Sequence, residues 1–217
     1  MSLYNETDGR GVLPTPVLGV VGLLEDAEKV VRRAFRAEGD AIVLLGTTRT
    51  ELGGSEYLKV IHGLIRGTPP ALDLTREAAL QRLLVARVAD GLIRSAHDCS
   101  EGGVAVALAE CCFTTGFGAA VDVARVEAPA LEFDAIYALF SESASRVIVS
   151  VEAARSAELV RSAGKSGVPA SIIGRVGGER IRIAISGVSA IDQDLAEAER
   201  IWSDAIGNYF NGQRAIA

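Results

Sequence analysis

Apolar residues recur along this chain with two periods, and the alternation between them predicts a mixed succession of strands and helices. Runs of strand length fall at residues 17–24, 41–45, 93–98, 118–123, 146–151, 171–175 and 181–185, several of them rich in Val and Ile. Between them the apolar positions return every three or four residues, as a helix does when it buries one face. Val30, Val31, Ala34 and Phe35 form such a stripe within 26–36. Tyr57, Leu58, Ile61 and Leu64 form a second, and Leu80, Leu83, Leu84 and Val88 a third, opened by Asp73 as N-cap and running to about residue 92. Ser100 is expected to cap a helix over 101–114, followed by a short helical piece at 135–139 and a longer one at 153–164. The last helix is expected from near Ala190, with Ile191, Leu195, Ala198, Trp202 and Tyr209 at helical spacing. Pro69-Pro70 and Pro129 punctuate, and Gly177-Gly178 reads as a hairpin turn into 181–185.

The order strand, helix, strand, strand, helix after Arg146 favours an α+β fold over a doubly wound parallel sheet. About six strands and six helices are expected, with no internal repeat. The opening has a different character. Polar residues 4–11 and Pro14-Thr-Pro16 lead into the 17–24 run, which cannot bury both of its faces alone. It reads as the last strand of a domain whose remainder lies elsewhere, or alternatively as a strand joining the sheet of the domain that follows.

Composition narrows the function. The 217 residues carry a net charge of −6 and a pI near 5.1, with 49% hydrophobic and 23% charged residues. A nucleic-acid binder shows a basic stripe; here the densest basic cluster is Lys29, Arg32, Arg33 and Arg36, which reads as a solvated helix face. Neither a membrane span nor a signal peptide is expected. Cys99, Cys111 and Cys112 form no disulfide framework and, with two histidines, no zinc site. A reduced, cytoplasmic setting is the simple reading.

The sharpest candidate chemistry is His97-Asp98-Cys99-Ser100-Glu101-Gly102-Gly103, at a strand end and helix start. An acidic side chain leaving a strand can hold a metal ion, and backbone amides at a helix start can face phosphate oxygens. The glycines admit a ligand or another backbone, so binding and plain capping both stay open. His97 has no identifiable nucleophile beside it and reads as a packing or capping residue; the cysteines read as inert. Glu51-Leu-Gly-Gly-Ser-Glu56 is a second glycine-containing turn, without a P-loop or dinucleotide pattern, and Ser55 is its expected N-cap. Phe140 to Arg146 could present a carboxylate and hydroxyls to a sugar or phosphate, or be a solvated connection.

Taken in order, Tyr4-Asn-Glu-Thr7, Pro14-Thr-Pro16, Leu52-Gly-Gly-Ser-Glu-Tyr-Leu58, Ala96-His-Asp-Cys-Ser-Glu-Gly-Gly103 with Ala105, Ala107, Leu108 and Glu110, and Leu139-Phe-Ser-Glu-Ser143 with Ser145-Arg146 resemble one family. It is the synthetase (large) subunit of the phosphoribosylformylglycinamidine synthases, in the aminoimidazole ribonucleotide synthetase superfamily. The resemblance implies a three-layer α/β/α mixed sheet like the C-terminal domain of aminoimidazole ribonucleotide synthetase, preceded by a fragment of the adjoining N-type domain. Residues 1–24 would be that remnant, and 25–217 the second C-type domain. It implies ATP and Mg²⁺ as cofactors, formylglycinamide ribonucleotide as substrate, and as partners a glutaminase subunit and a missing N-terminal half that holds the catalytic histidine. No catalytic residue is assigned in this chain. By the same resemblance Asp98 would bind metal, Ser100, Gly102 and Gly103 nucleotide phosphate, and Ser2 and Glu142 substrate. Ala144 departs from the glutamine the family carries there, and by pseudo-symmetry with the first half this domain would line an auxiliary nucleotide site more than the catalytic one. A non-catalytic interaction domain, or another ATP-dependent enzyme of the superfamily, are the alternative readings.

Overall fold

The computed structural model describes residues 6–7, 9–11, 17–24, 26–127 and 133–210, and the chain divides into two compact units, Met1–Val30 and Val31–Ala217. Ser2, Tyr4, Asn5, Pro14-Thr-Pro16 and Pro129 lie outside the described residues. In the first unit Glu6–Thr7 (β1) and Arg10–Gly11 (β2) pair antiparallel. Residues 17–24, expected as a buried strand, form no ladder, and Val17, Val20, Val21 and Leu23 are each more than nine-tenths exposed. An apolar run has strand propensity, but a strand exists only where another backbone completes its hydrogen bonds. None of the described residues does so here.

The helix expected over 26–36 shrinks to a single 3₁₀ turn, Ala27–Lys29. Tertiary hydrogen bonds explain the loss. The Phe35 N–H donates to the Cys111 carbonyl at 2.8 Å, and the Arg32 carbonyl accepts from Ala96 at 3.1 Å. Those backbone groups are spent outside any helix, while the Phe35 ring is fully buried.

The second unit is built on a seven-stranded sheet. Its elements in chain order are Ala41–Leu45 (β3), Glu56–His62 (α1), Leu74–Ala89 (α2), Ser95–Asp98 (β4), Gly103–Cys112 (α3), Ala119–Val123 (β5), Asp134–Phe140 (α4), Val147–Val151 (β6), Ser156–Lys165 (α5), Ala170–Val176 (β7), Arg180–Ile185 (β8), Val188–Asp194 (β9) and Leu195–Phe210 (α6). The strand order is β4-β6-β3-β7-β5-β8-β9, antiparallel throughout except for the β5/β8 pair. Val43 lies opposite Val149, and Val121 opposite Ile183. This is the α+β mixed sheet that the sequence pattern implies.

Side-chain alternation sorts the helices onto the two faces. Ile42 and Ile148 pack with Val104, Leu108, Leu139 and Leu195 of α3, α4 and α6, while Val43, Leu45, Val149 and Val151 pack with Leu80 and Leu83 of α2 and Leu159 and Ala163 of α5. Strand β6 is therefore buried at every position, whereas β5 alternates, with Ala120 and Asp122 exposed.

Two expectations about connections fail for long-range reasons. Gly177-Gly178 is not a hairpin turn, because β5 lies between β7 and β8. Gly118 donates to the Gly178 carbonyl at 2.7 Å and accepts from Gly177 at 2.8 Å, which holds the turn against the start of β5. The last helix starts at Leu195 rather than Ala190, because residues 188–194 pair with β8, with Ile191 opposite Ile183. Sheet pairing outweighs the helical spacing of those apolar residues.

Candidate functional site

Strand β4 is an edge strand, and its last residue, Asp98, stands opposite Val147 of β6. The Asp98 side chain is 67% exposed. The Ser100 hydroxyl donates to Asp98 Oδ2 at 2.5 Å, and His97 Nδ1 lies 3.3 Å from Oδ1. On its other side His97 Nε2 lies 2.7 Å from Glu110 Oε2 of α3, and Arg33 approaches the same oxygen at 3.9 Å. The Ser100 hydrogen bond is the main reason the Asp98 carboxyl titrates below its ordinary range, against the opposing pull of partial burial. Ser100, expected to cap α3, instead orients Asp98.

The cap of α3 is Gly102, in the left-handed region at φ +77°, with no side-chain capping bond. Its N–H donates to Glu142 Oε1 at 2.8 Å, and the same oxygen accepts from the N–H of Glu56 at the start of α1 at 2.8 Å. One carboxylate oxygen thus ties together two helix starts, a charge-assisted arrangement that suits their dipoles. Gly103, at φ +68°, is where α3 meets the end of α4. A Cβ there would sit 2.6 Å from the Ser141 carbonyl oxygen and 2.7 Å from that of Leu139. Of the two uses open to these glycines, close approach of another backbone is the one Gly103 serves.

Beneath this junction lies Arg146, 2% exposed. Its guanidinium donates to the Ser141, Ser143 and Cys99 carbonyls and to Thr48 Oγ1. Burial draws its pKa down, opposed by the charges of Glu51 and Glu142. Ser141 Oγ in turn donates to the Arg49 carbonyl, and Ser143 Oγ accepts from the Arg49 N–H. The polar 140–146 segment is therefore mostly interior structure. Arg146 as organiser, and Glu110 as partner of His97, were not legible in the sequence: both stand among the residues that carry the family resemblance, but no local spacing gives them these roles.

Asp98, Ser100, Gly102, Gly103 and Glu142 are all brought to one end of the sheet, on the β4 tip, the α3 start and the loop after α4. Among the described residues no three His, Cys, Asp or Glu side chains converge to hold a metal ion, so Asp98 would need ligands from the ion's own waters, a phosphate or another polypeptide. The thiols are inert: burial pushes Cys99 and Cys112 up to about 12, and Cys111 upward as well. Among the described residues no helix is long and apolar enough to cross a membrane.

Residues 37–186 match the family model described as AIR synthase related protein, C-terminal domain. The phosphoribosylformylglycinamidine synthase subunit PurL of an Anaeromyxobacter species is 45% identical over 213 residues, which is 95% of this chain and 27% of that relative. The chain thus spans about a quarter of the length of the curated relatives it matches. Among solved structures, T. maritima PurL complexed with FGAR superposes with a TM-score of 0.70 at 20% identity, over 80% of this chain and 30% of that one. T. maritima PurL complexed with ATP gives 0.64 at 20% identity, over 80% and 28%.

Proposed function

Because the chain belongs to the family of AIR synthase related proteins, C-terminal domain, we propose that it is the closing C-type domain of a phosphoribosylformylglycinamidine synthase subunit. The observation that carries this reading is the 45% identity along 95% of the chain to a subunit of that name, of which the match covers only 27%. On this reading residues 1–24 belong to a preceding N-type domain and 25–217 form the C-type domain. The exposed apolar side chains of 17–24 support it, since they are the surface that further strands would cover.

The reaction of the whole subunit would be an ATP- and Mg²⁺-dependent ligation in the cytoplasm. The amide oxygen of formylglycinamide ribonucleotide is phosphorylated, and ammonia from a glutaminase partner then displaces the phosphate. The T. maritima PurL complexes with ATP and with FGAR support nucleotide and substrate as the ligands. This chain's share would be an edge facing an auxiliary nucleotide. Asp98, exposed and kept ionised by Ser100, would take a position on the metal ion, and Ser100 would lie beside the phosphates. Gly102 and Gly103 would set the height of that edge. Glu142 Oε1 is already taken by two backbone donors, so a substrate contact would fall to Oε2, and Ser2 would contribute from the preceding segment.

A purely structural role is favoured by one feature: the Gly102 amide and the Gly103 face are satisfied within the protein. Turnover separates the readings. With formylglycinamide ribonucleotide, ATP, Mg²⁺ and ammonium, the isolated chain should form no amidine product. Product should appear when the rest of the subunit is supplied, and Asp98→Asn should lower it. Robust turnover by the chain alone would overturn the proposal, and an Asp98→Asn complex of full activity would favour the structural role.

A further inference from the structure

Away from the β4 tip, a cleft of about 650 Å³ opens between α1, the loops at 50–53 and 66–71, and α4. That volume lies within the range of small-molecule sites. Its walls are mostly apolar, with the rings of Tyr57, Phe133 and Tyr137 and the side chains of Leu52, Leu58 and Leu64 among them. Tyr57 is held in place by stacking on Phe140 at 5.0 Å between centroids. Leu64 and Phe133 stay 40% and 45% exposed, apolar surface that a ligand would take out of water.

The frame of the cleft is fixed by backbone contact. The Gly54 N–H donates to the Arg66 carbonyl at 2.9 Å. A Cβ on Gly53 would lie 2.0 Å from the Thr68 carbonyl oxygen, so the two loops touch as closely as peptide groups can. Helix α1 closes at Gly63, and Leu64 donates back to the Leu58 carbonyl at 3.0 Å. The wall that carries His62 and Arg66 is therefore preformed.

The charges around the cleft decide what fits it. The acids are turned to the protein. Glu51 Oε1 accepts from the Ala71 N–H at 3.1 Å, Oε2 is sealed from solvent, and the carboxylate's charge acts on the buried Arg146 guanidinium. Glu56 on α1 is held by Lys59 at 2.8 Å, and Asp134 at the start of α4 by Arg125. The donors are open. His62 and Arg66 both line the cleft and are exposed, and the His62 ring stands edge-on to Tyr57 at 5.5 Å. Among the described residues neither side chain has a hydrogen-bond partner or an ion pair, and the Tyr57 and Tyr137 hydroxyls have no hydrogen-bond partner. An apolar cleft whose accessible charged group is an uncommitted guanidinium is complementary to a ring that carries an anion, because the planar fork meets a carboxylate with two N–H groups.

We infer that this cleft binds a small aromatic carboxylate, its flat body among Tyr57, Phe133 and Tyr137 and its charge on Arg66, with His62 as the neighbouring donor. The inference is independent of the nucleotide edge at Asp98, and the two can fail separately. Its test is an amide NMR titration of the 217-residue chain with 2-naphthoate, 2-naphthalenemethanol and 2-naphthylmethylamine, three probes of one shape and different charge. Naphthoate should shift the amides of Gly53, Gly67 and Ala71 and bind about fivefold more tightly than the alcohol, as a partly solvated charge pair implies; the amine should bind no more tightly than the alcohol. Arg66→Gln with His62→Gln should remove the preference for the carboxylate while leaving the alcohol's binding in place. Leu64→Trp, which narrows the cleft, should weaken all three probes. Tighter binding of the amine than of the carboxylate, an undiminished preference in the double variant, unchanged binding in Leu64→Trp, or no shifts at millimolar naphthoate would each overturn the inference.

Discussion

The β4 tip and a cleft lined by Glu51, Gly53, Tyr57, Ala71 and Tyr137 lie in one domain and satisfy their polar groups in opposite ways. At the tip, Asp98 has Ser100 and His97, His97 has Glu110, and the Gly102 amide has Glu142. The Asp98 carboxylate is open to solvent but already oriented. The cleft, of about 650 Å³, has mostly apolar walls with His62 and Arg66 among them, and Glu51 Oε2, out of reach of solvent, has no donor among the described residues. A solvated, pre-oriented carboxylate suits an ion that brings its own water and phosphate ligands. A sealed, donor-less oxygen is out of reach of anything in the cleft and counts as a cost to the fold. The contrast teaches that exposure and hydrogen-bond completeness, taken together, decide whether an acidic residue can meet a ligand at all.

Substitutions at the junctions should break the two regions separately. Gly103→Ala meets both positive φ and the α4 carbonyls, and should cost at least about 3 kcal/mol, read as a fall in the denaturation midpoint. Gly53→Ala, driven into the Thr68 carbonyl, should cost about 2–3 kcal/mol and deform the cleft while leaving the amide shifts of 98–103 in place. A loss below 1 kcal/mol in either would show that the backbone contacts can relax.

Arg146→Met tests what the regions share. It leaves three carbonyls without their donor in the interior and should cost about 3 kcal/mol, with amide shifts at both Asp98 and Glu51. Shifts at one region alone would break the shared support. Glu142→Gln is milder. It keeps an acceptor but removes the charge from two helix starts, so about 1 kcal/mol is expected, together with faster hydrogen exchange at Gly102 and Glu56.

The thiols between the sheet and α3 add an effect that is confined to high pH. Burial raises the folded pKa of Cys99 and Cys112 from near 9 to about 12. An acid with a raised folded pKa contributes stability that is complete below the unfolded value and is lost as pH rises toward the folded one. The wild type should therefore lose stability between pH 9 and 12 faster than a Cys99→Ala/Cys112→Ala variant. Parallel curves in denaturant would remove the thiols as the cause.

The tip was legible in the sequence because its residues are contiguous: His97 to Gly103 is one stretch, and its chemistry is local. The strands β3 to β8 and helices α1 to α5 were legible for a similar reason, since one buried face imprints its period. What escaped depends on distant backbone. The 26–36 helix loses its hydrogen bonds to Cys111 and Ala96, the Gly177-Gly178 turn is parted by β5, and 188–194 is drawn into the sheet by β8. The cleft escaped because its lining comes from two stretches, 50–71 and 133–137, that no spacing rule connects.

The central claim is that Asp98 is the ion-facing group of a nucleotide edge, and paramagnetic broadening by Mn²⁺ with ADP tests it at residue resolution. The claim predicts broadening of the Cys99, Ser100 and Gly102 amides that Asp98→Asn abolishes, with Gly53 and Ala71 in the cleft unaffected. Broadening that persists in Asp98→Asn, or that spares residues 98–103 altogether, would contradict it.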